Sequence, residues 1–97
     1  MPTIVDVADH NRYEARDDHD QLLGLVEYYR TPATITFSHT EVLPAAEGHG
    51  VGSTLARHVL DQARSDGLTV VPHCPFIRGW IDRHPDYADL VASSASS

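Results

Sequence analysis

Three glycines alternate along one short stretch, Glu47-Gly48-His49-Gly50-Val51-Gly52-Ser53. A backbone without side chains can turn sharply and come close to a bulky ligand. If a helix starts there, its first unpaired N–H groups point outward and its dipole favours an anion. A pyrophosphate is the natural guest. The same glycines also suit a plain tight turn between strand and helix, so the motif alone leaves both readings open. Two commoner phosphate loops do not fit. A P-loop needs a lysine, and the chain has none. A dinucleotide fingerprint follows the first strand of its fold, whereas this loop comes after several expected strands.

Cys74 is the sole cysteine. It stands where a short apolar run gives way to an expected helix, beside His73. A helix N-terminus and a neighbouring imidazole both favour the thiolate. A thiolate can take an acyl group and pass it on. A lone cysteine is also commonly a small buried hydrophobe, and Pro75 after it is an ordinary first helical residue. His39 and Glu41 lie two apart in a β-branched run, so on a strand they share a face and Thr40 takes the other. Either can act as a general base toward an amine. A solvent-facing polar strand gives the same pattern. Trp80, Phe76 and Ile81 read as core.

These residues need elements to hold them. Residues 4–7 suit a short strand or an ordered arm. Residues 12–16, 22–29 and 33–42 read as three strands joined by short turns, the first turn at Asp17-Asp18-His19-Asp20. Gly24 weakens or bulges the second of these. An antiparallel meander follows. Val51, Leu55, Val59 and Ala63 then recur every four residues, with Ala56 and Leu60 beside them, which describes an amphipathic helix. Gly67 suits its left-handed cap. Residues 68–71 form a short apolar strand, so strand, helix and strand make a βαβ unit with a parallel pair. Residues 76–83 carry a second helical stripe, stopped before Pro85, and residues 85–91 add a further turn. The expected fold class is therefore α/β of the α+β kind: a meander, a βαβ unit and a short C-terminal helix. Residues 1–97 read as one domain, with 92–97 a frayed tail.

Bulk composition removes several function classes. The net charge is -7, from 14 acidic and 7 basic residues, and every basic residue is arginine. That is a poor basis for general nucleic-acid binding. One cysteine excludes an internal disulfide and a cysteine-rich zinc site. The seven histidines are scattered, with no H-x-x-x-H pair on an expected helix, so no metal is expected. No apolar run approaches the roughly 20 residues that span a bilayer. Residues 1–6 lack a basic stretch followed by an apolar core. The expected location is cytoplasmic, with no membrane partner.

The loop Glu47-Gly48-His49-Gly50-Val51-Gly52 resembles the Q/R-x-x-G-x-G/A loop of the GNAT acetyltransferases. The blocks His39-Thr40-Glu41-Val42, Cys74-Pro75-Phe76-Ile77 and His84-Pro85-Asp86-Tyr87 add a likeness to the small, single-domain members of that group. The resemblance runs from about Arg12 to Leu90. It implies acetyl-CoA as cosubstrate, bound in a cleft beside the strand before the loop. The cofactor set it implies is Val42, Leu43, Gly48, His49, Gly50, Val51, Gly52 and Ser53. Glu47 departs from the family pattern and must turn its carboxylate away from the phosphates. Cys74, His39 and Glu41 become the catalytic candidates, and Tyr87 a proton donor to the leaving thiolate. The expected function is transfer of acetyl from acetyl-CoA to an amine, carried by a small molecule or a protein. The alternative is a non-catalytic module that binds CoA or a protein partner, because the chain is shorter than ordinary GNAT enzymes. A monomer or a weak homodimer through a sheet edge fits either.

Overall fold

The computed structural model describes residues 2–91. Four strands follow one another as an antiparallel meander: β1 (Thr3–Val7), β2 (Arg12–Arg16), β3 (Leu22–Arg30) and β4 (Thr34–Val42). Helix α1 (Val51–Ser65) crosses over to β5 (Thr69–Pro72), which lies parallel to β4 at the edge of the sheet. Helix α2 (Pro75–Arg83) and a 3-10 turn, Pro85–Leu90, close the described chain. The expected meander and βαβ unit are both present. The choice left open for residues 4–7 falls on a strand, paired with β2 from Thr3↔Arg16 to Val7↔Arg12. The expected tail, residues 92–97, lies outside the described residues.

The spacing of α1 explains where the core sits. Val51, Leu55, Ala56, Val59, Leu60 and Ala63 are all buried, on one stripe of the helix. They meet Ala15, Val26, Ile35, Phe37 and Val70 from the sheet. The helix stops where Gly67 takes φ +70°, a conformation that costs glycine little. Gly24 serves close approach. A Cβ there would lie 2.8 Å from the carbonyl oxygen of Glu41 and 3.2 Å from a methyl of Leu55. The bulge in β3 lies next to it, where Arg16 pairs with Leu22 and Ala15 with Gly24. Helix α2 lies against α1, and its Trp80 indole N–H donates to Ser53 Oγ at 2.9 Å.

The opposite face of the sheet is polar. Glu14 is 4% exposed there, clamped between Arg12 and Arg16 at 2.6 and 2.7 Å. Hydrogen bonds from Arg16, then Arg12, hold its carboxyl below the usual glutamate range.

Strand β4 carries the feature that positions the site. Tyr28 pairs with Phe37 but Glu27 pairs with His39, so Ser38 is an extra residue on β4. The bulge reverses the alternation of side chains. Before it, Ile35 and Phe37 are buried toward the helices. After it, Thr40 and Val42 turn that way, while His39 and Glu41 turn to the opposite face. On its other side β4 pairs with β5 only from Thr34↔Thr69 to Phe37↔Pro72. Pro72 has no N–H to extend the ladder. The chain then turns away into α2, and Cys74 N–H donates to the Phe37 carbonyl at 2.9 Å.

Candidate functional site

Strand β4 therefore runs on beyond its parallel partner, and the two part like a fork. The far end of this freed segment, Val42, lines an open pocket of about 410 Å³. One wall is the glycine loop and the first turn of α1: Glu47, Gly48, Gly50, Val51, Gly52 and Ser53. The other is α2 and the residue after it: Phe76, Trp80, Arg83 and His84.

The glycine wall is built for backbone contact. Gly48 and Gly50 hold φ of +85° and +76°, and a Cβ on either would meet nothing within 4 Å. Their purpose is conformation, because a left-handed L-residue costs about 1–2 kcal/mol. Gly50 caps α1, with no side chain hydrogen-bonded across the helix end and no acidic residue in the first turn. The first intrahelical bond from a loop or cap runs from Thr54 N–H to Gly50 O at 3.0 Å. The N–H groups of Val51, Gly52 and Ser53 thus have no carbonyl a turn behind them. Gly52 is needed for a different reason. A Cβ there would lie 2.8 Å from Phe76 Cζ and 3.4 Å from Val42 Cγ2. Its bareness lets the Phe76 ring lie over the helix start and shape the pocket.

The second wall is held rigidly. Trp80 is buried, hydrogen-bonded to Ser53, and stacked on His84 with ring centroids 3.7 Å apart. His84 Nδ1 lies 2.7 Å from the Trp80 carbonyl, so this nitrogen carries the proton and donates. Trp80 is core, as expected. Phe76 is not: it is 38% exposed and faces the pocket. Phe76, Arg83 and His84 were absent from the sequence-derived site. The helical stripe of residues 76–83 signals burial, and only the fold shows that one end of it borders a cavity.

The candidate residues do not form one cluster. Val42, Gly48, Gly50, Val51, Gly52 and Ser53 line the pocket. His49 lines a separate pocket of about 240 Å³ with Asp17, Asp18 and Leu23. Leu43 is spent on the sheet, its N–H donating to the Leu23 carbonyl at 2.9 Å. Cys74 caps α2 and is 2% exposed, and its thiol donates to Thr40 Oγ1 at 3.1 Å. That pair sits inside the fork, on the helix side of the sheet. His39 and Glu41 lie on the other side, each side chain 54% exposed, with His39 Nε2 3.5 Å from Glu41 Oε1. Tyr87 lies away from the pocket lining. Its hydroxyl donates to Asp61 Oδ1 at 2.7 Å and pins the last 3-10 turn to α1. That bond, then burial, raises its pKa above the ordinary tyrosine value. A hydroxyl committed to Asp61 is poorly placed to protonate a thiolate in the fork.

Comparison with known proteins agrees with this architecture. A profile of the GCN5-related N-acetyl-transferase family matches residues 12–90. No curated protein matches the chain. Among solved structures, a GCN5-like protein of Staphylococcus aureus, determined by NMR, superposes with a TM-score of 0.70 at 25% identity, covering 93% of this chain and 87% of that one. The ribosomal-protein-alanine N-acetyltransferase of Brucella melitensis biovar Abortus 2308 gives 0.58 at 22% identity over 86% of this chain. Nourseothricin acetyltransferase gives 0.53 at 20% identity over 74%. The chain spans only 61% and 57% of these last two, whose likeness is one of fold. With the profile covering most of the sequence and the fold shared, the chain belongs to the GCN5-related N-acetyl-transferase family.

Proposed function

We propose that the chain binds acetyl-CoA in the pocket between the glycine loop and α2 and transfers the acetyl group to an amine. One observation carries this reading. The segment of β4 that β5 leaves without a partner on that edge ends at Val42, where the free amides of α1 and the side-chain-free wall at Gly52 begin. An extended thioester arm fits along a strand edge that still has backbone donors and acceptors to offer. A pyrophosphate fits at an uncapped helix start. The other pocket residues fit the same ligand, with Phe76 as an apolar wall. Glu47 borders this pocket and is exposed, so its carboxylate is free to turn to water.

Transfer runs directly in this reading. The amine nitrogen attacks the thioester carbonyl, the carbon–sulfur bond breaks, and CoA leaves as the thiolate. The amine approaches from the exposed face of β4 that carries His39 and Glu41, across the freed strand from the pocket, and its proton passes to one of them. Backbone N–H groups of β4 facing the fork stabilise the oxyanion. Burial of Cys74 and its bond to Thr40 favour this route over an acetylated cysteine. The covalent route differs in one observable. Incubation with acetyl-CoA and no amine leaves the intact mass unchanged if transfer is direct. A gain of one acetyl group that disappears in Cys74→Ala establishes the covalent route.

The test of the whole reading is calorimetry with CoA, followed by release of free thiol over a panel of amines. Wild type binds, and Gly52→Ala, which drives a methyl into Phe76, loses most of the affinity. Failure of wild type to bind millimolar CoA sinks the reading. Binding without turnover on any amine favours a CoA-binding module. A cytoplasmic location goes with either; among the described residues no helix is long and apolar enough to cross a membrane.

A further inference from the structure

The seven arginines are not equivalent. Arg12 and Arg16 clamp Glu14. Arg30 lies 3.6 Å from Asp66, and Arg64 lies 2.9 Å from Asp89. Arg78 donates to the carbonyls of Pro72 and His73. Arg57 sits over the Trp80 ring, 5.3 Å from its centroid, with Nη1 3.5 Å from the Tyr87 hydroxyl. Arg83 alone has no hydrogen-bond or ion-pair partner among the described residues, and it lines the candidate cofactor pocket.

Its placement is specific. Arg83 ends α2, on the wall facing the glycine loop. Its Nη1 comes within 3.5 Å of where a Gly79 Cβ would stand, one turn back. The guanidinium therefore lies folded back along the helix, at ordinary van der Waals distance from that position. The chain as a whole carries -7 and repels a polyanion, so a free cation at this mouth is the local exception.

We propose that Arg83 is a specificity-determining residue that binds the ribose 3′-phosphate of CoA, and that the protein distinguishes CoA from 3′-dephospho-CoA through it. This rests on the acetyl-CoA reading above. The two anionic parts of the ligand then divide between the two walls. The pyrophosphate takes the backbone amides of α1, and the 3′-phosphate takes the planar guanidinium, which matches a phosphate with two parallel hydrogen bonds.

Calorimetry with CoA and with 3′-dephospho-CoA, on wild type and on Arg83→Gln, tests the assignment. Wild type binds CoA at least about tenfold more tightly, as expected for a charge-assisted bond. Arg83→Gln loses that preference and keeps wild-type affinity for 3′-dephospho-CoA. Arg83 is exposed, so the variant folds with an unchanged Tm, which also excludes a merely structural role at the helix end. Equal binding of both ligands by wild type overturns the proposal while leaving the acetyl-CoA reading intact. So does a variant that keeps the preference, or one that weakens both ligands alike and thereby puts Arg83 on the pyrophosphate. Failure of wild type to bind either ligand overturns the acetyl-CoA reading and this assignment with it.

Discussion

Residues 34–37 and 38–42 are halves of one strand, β4, and they are held in opposite ways. The first half has a neighbour on both sides, β3 and β5, and its Ile35 and Phe37 are fully buried under the helices. The second half keeps only β3, and its side chains are half-buried or exposed. A bulge at Ser38 and a proline at position 72 separate them. The first half builds the fold, and the second presents a backbone edge and side chains on both faces of the sheet. The contrast says that loss of the first half unfolds the protein, whereas changes in the second alter chemistry while the fold survives.

The largest effect should therefore come from Phe37→Ala. It removes a fully buried ring from the paired half and should cost about 3–5 kcal/mol. Denaturant unfolding measures it. His39→Ala and Glu41→Ala, on the exposed face of the other half, should each stay within about 0.5 kcal/mol. Acetyl transfer to amines should nevertheless fall in at least one of them. A large stability loss at His39 or Glu41 would erase the contrast between the halves.

Just beyond the second half, two glycines separate conformation from space. Gly50→Ala forces a side chain into φ +76° with nothing to hit, and should lower stability by about 1–2 kcal/mol. Gly52→Ala meets no such strain. It should keep Tm near wild type and lose CoA, because its methyl displaces Phe76. Thermal melts and CoA calorimetry on the two variants separate these causes. Equal stability losses would mean that Gly52 is also a matter of conformation.

Much of the frame was legible in the sequence because it follows from periodicity. Val51, Leu55, Val59 and Ala63 announce α1, and Gly67 its end. The β-branched run announces β4. The bulge did not show, because Ser38 looks like any other strand residue. Alternation counted from Ile35 and Phe37 would put His39 and Glu41 under the helices; the extra residue turns them out. Cys74 and His39 look like partners in a list of reactive residues, yet the sheet stands between them. Arg83 was one of seven scattered arginines until the fold showed that the other six were occupied. The pairing of side chains over long sequence separations is what the chain order conceals.

The fork has a hinge point that a smaller change can probe. Thr40 belongs to the free half and Cys74 to the departing chain, and the thiol–hydroxyl bond between them spans the opening. Thr40→Val keeps the shape and leaves the thiol without an acceptor, at a cost of about 1 kcal/mol. If that contact helps to hold the fork at its width, CoA affinity should fall along with stability. An unchanged affinity would assign the width to the Cys74 N–H bond with Phe37 instead.

The smallest effect tests both halves together, from the strand on the far side of their shared neighbour β3. Glu14 sits on β2, and its carboxylate is stabilised by Arg16 and Arg12 in the folded state. Because its folded pKa is depressed, the stability it contributes is fully present above the usual value near 4.5 and is lost as pH falls through the lower, folded value. Wild-type Tm should therefore drop on acidification below about pH 4.5. Glu14→Gln, which cannot titrate, should flatten that slope. The clamp lies on the far side of the sheet from the glycine loop, so CoA affinity at neutral pH should stay the same in this variant. A loss of affinity there would mean that the free half of β4 takes its shape from the polar face as well as from the fork.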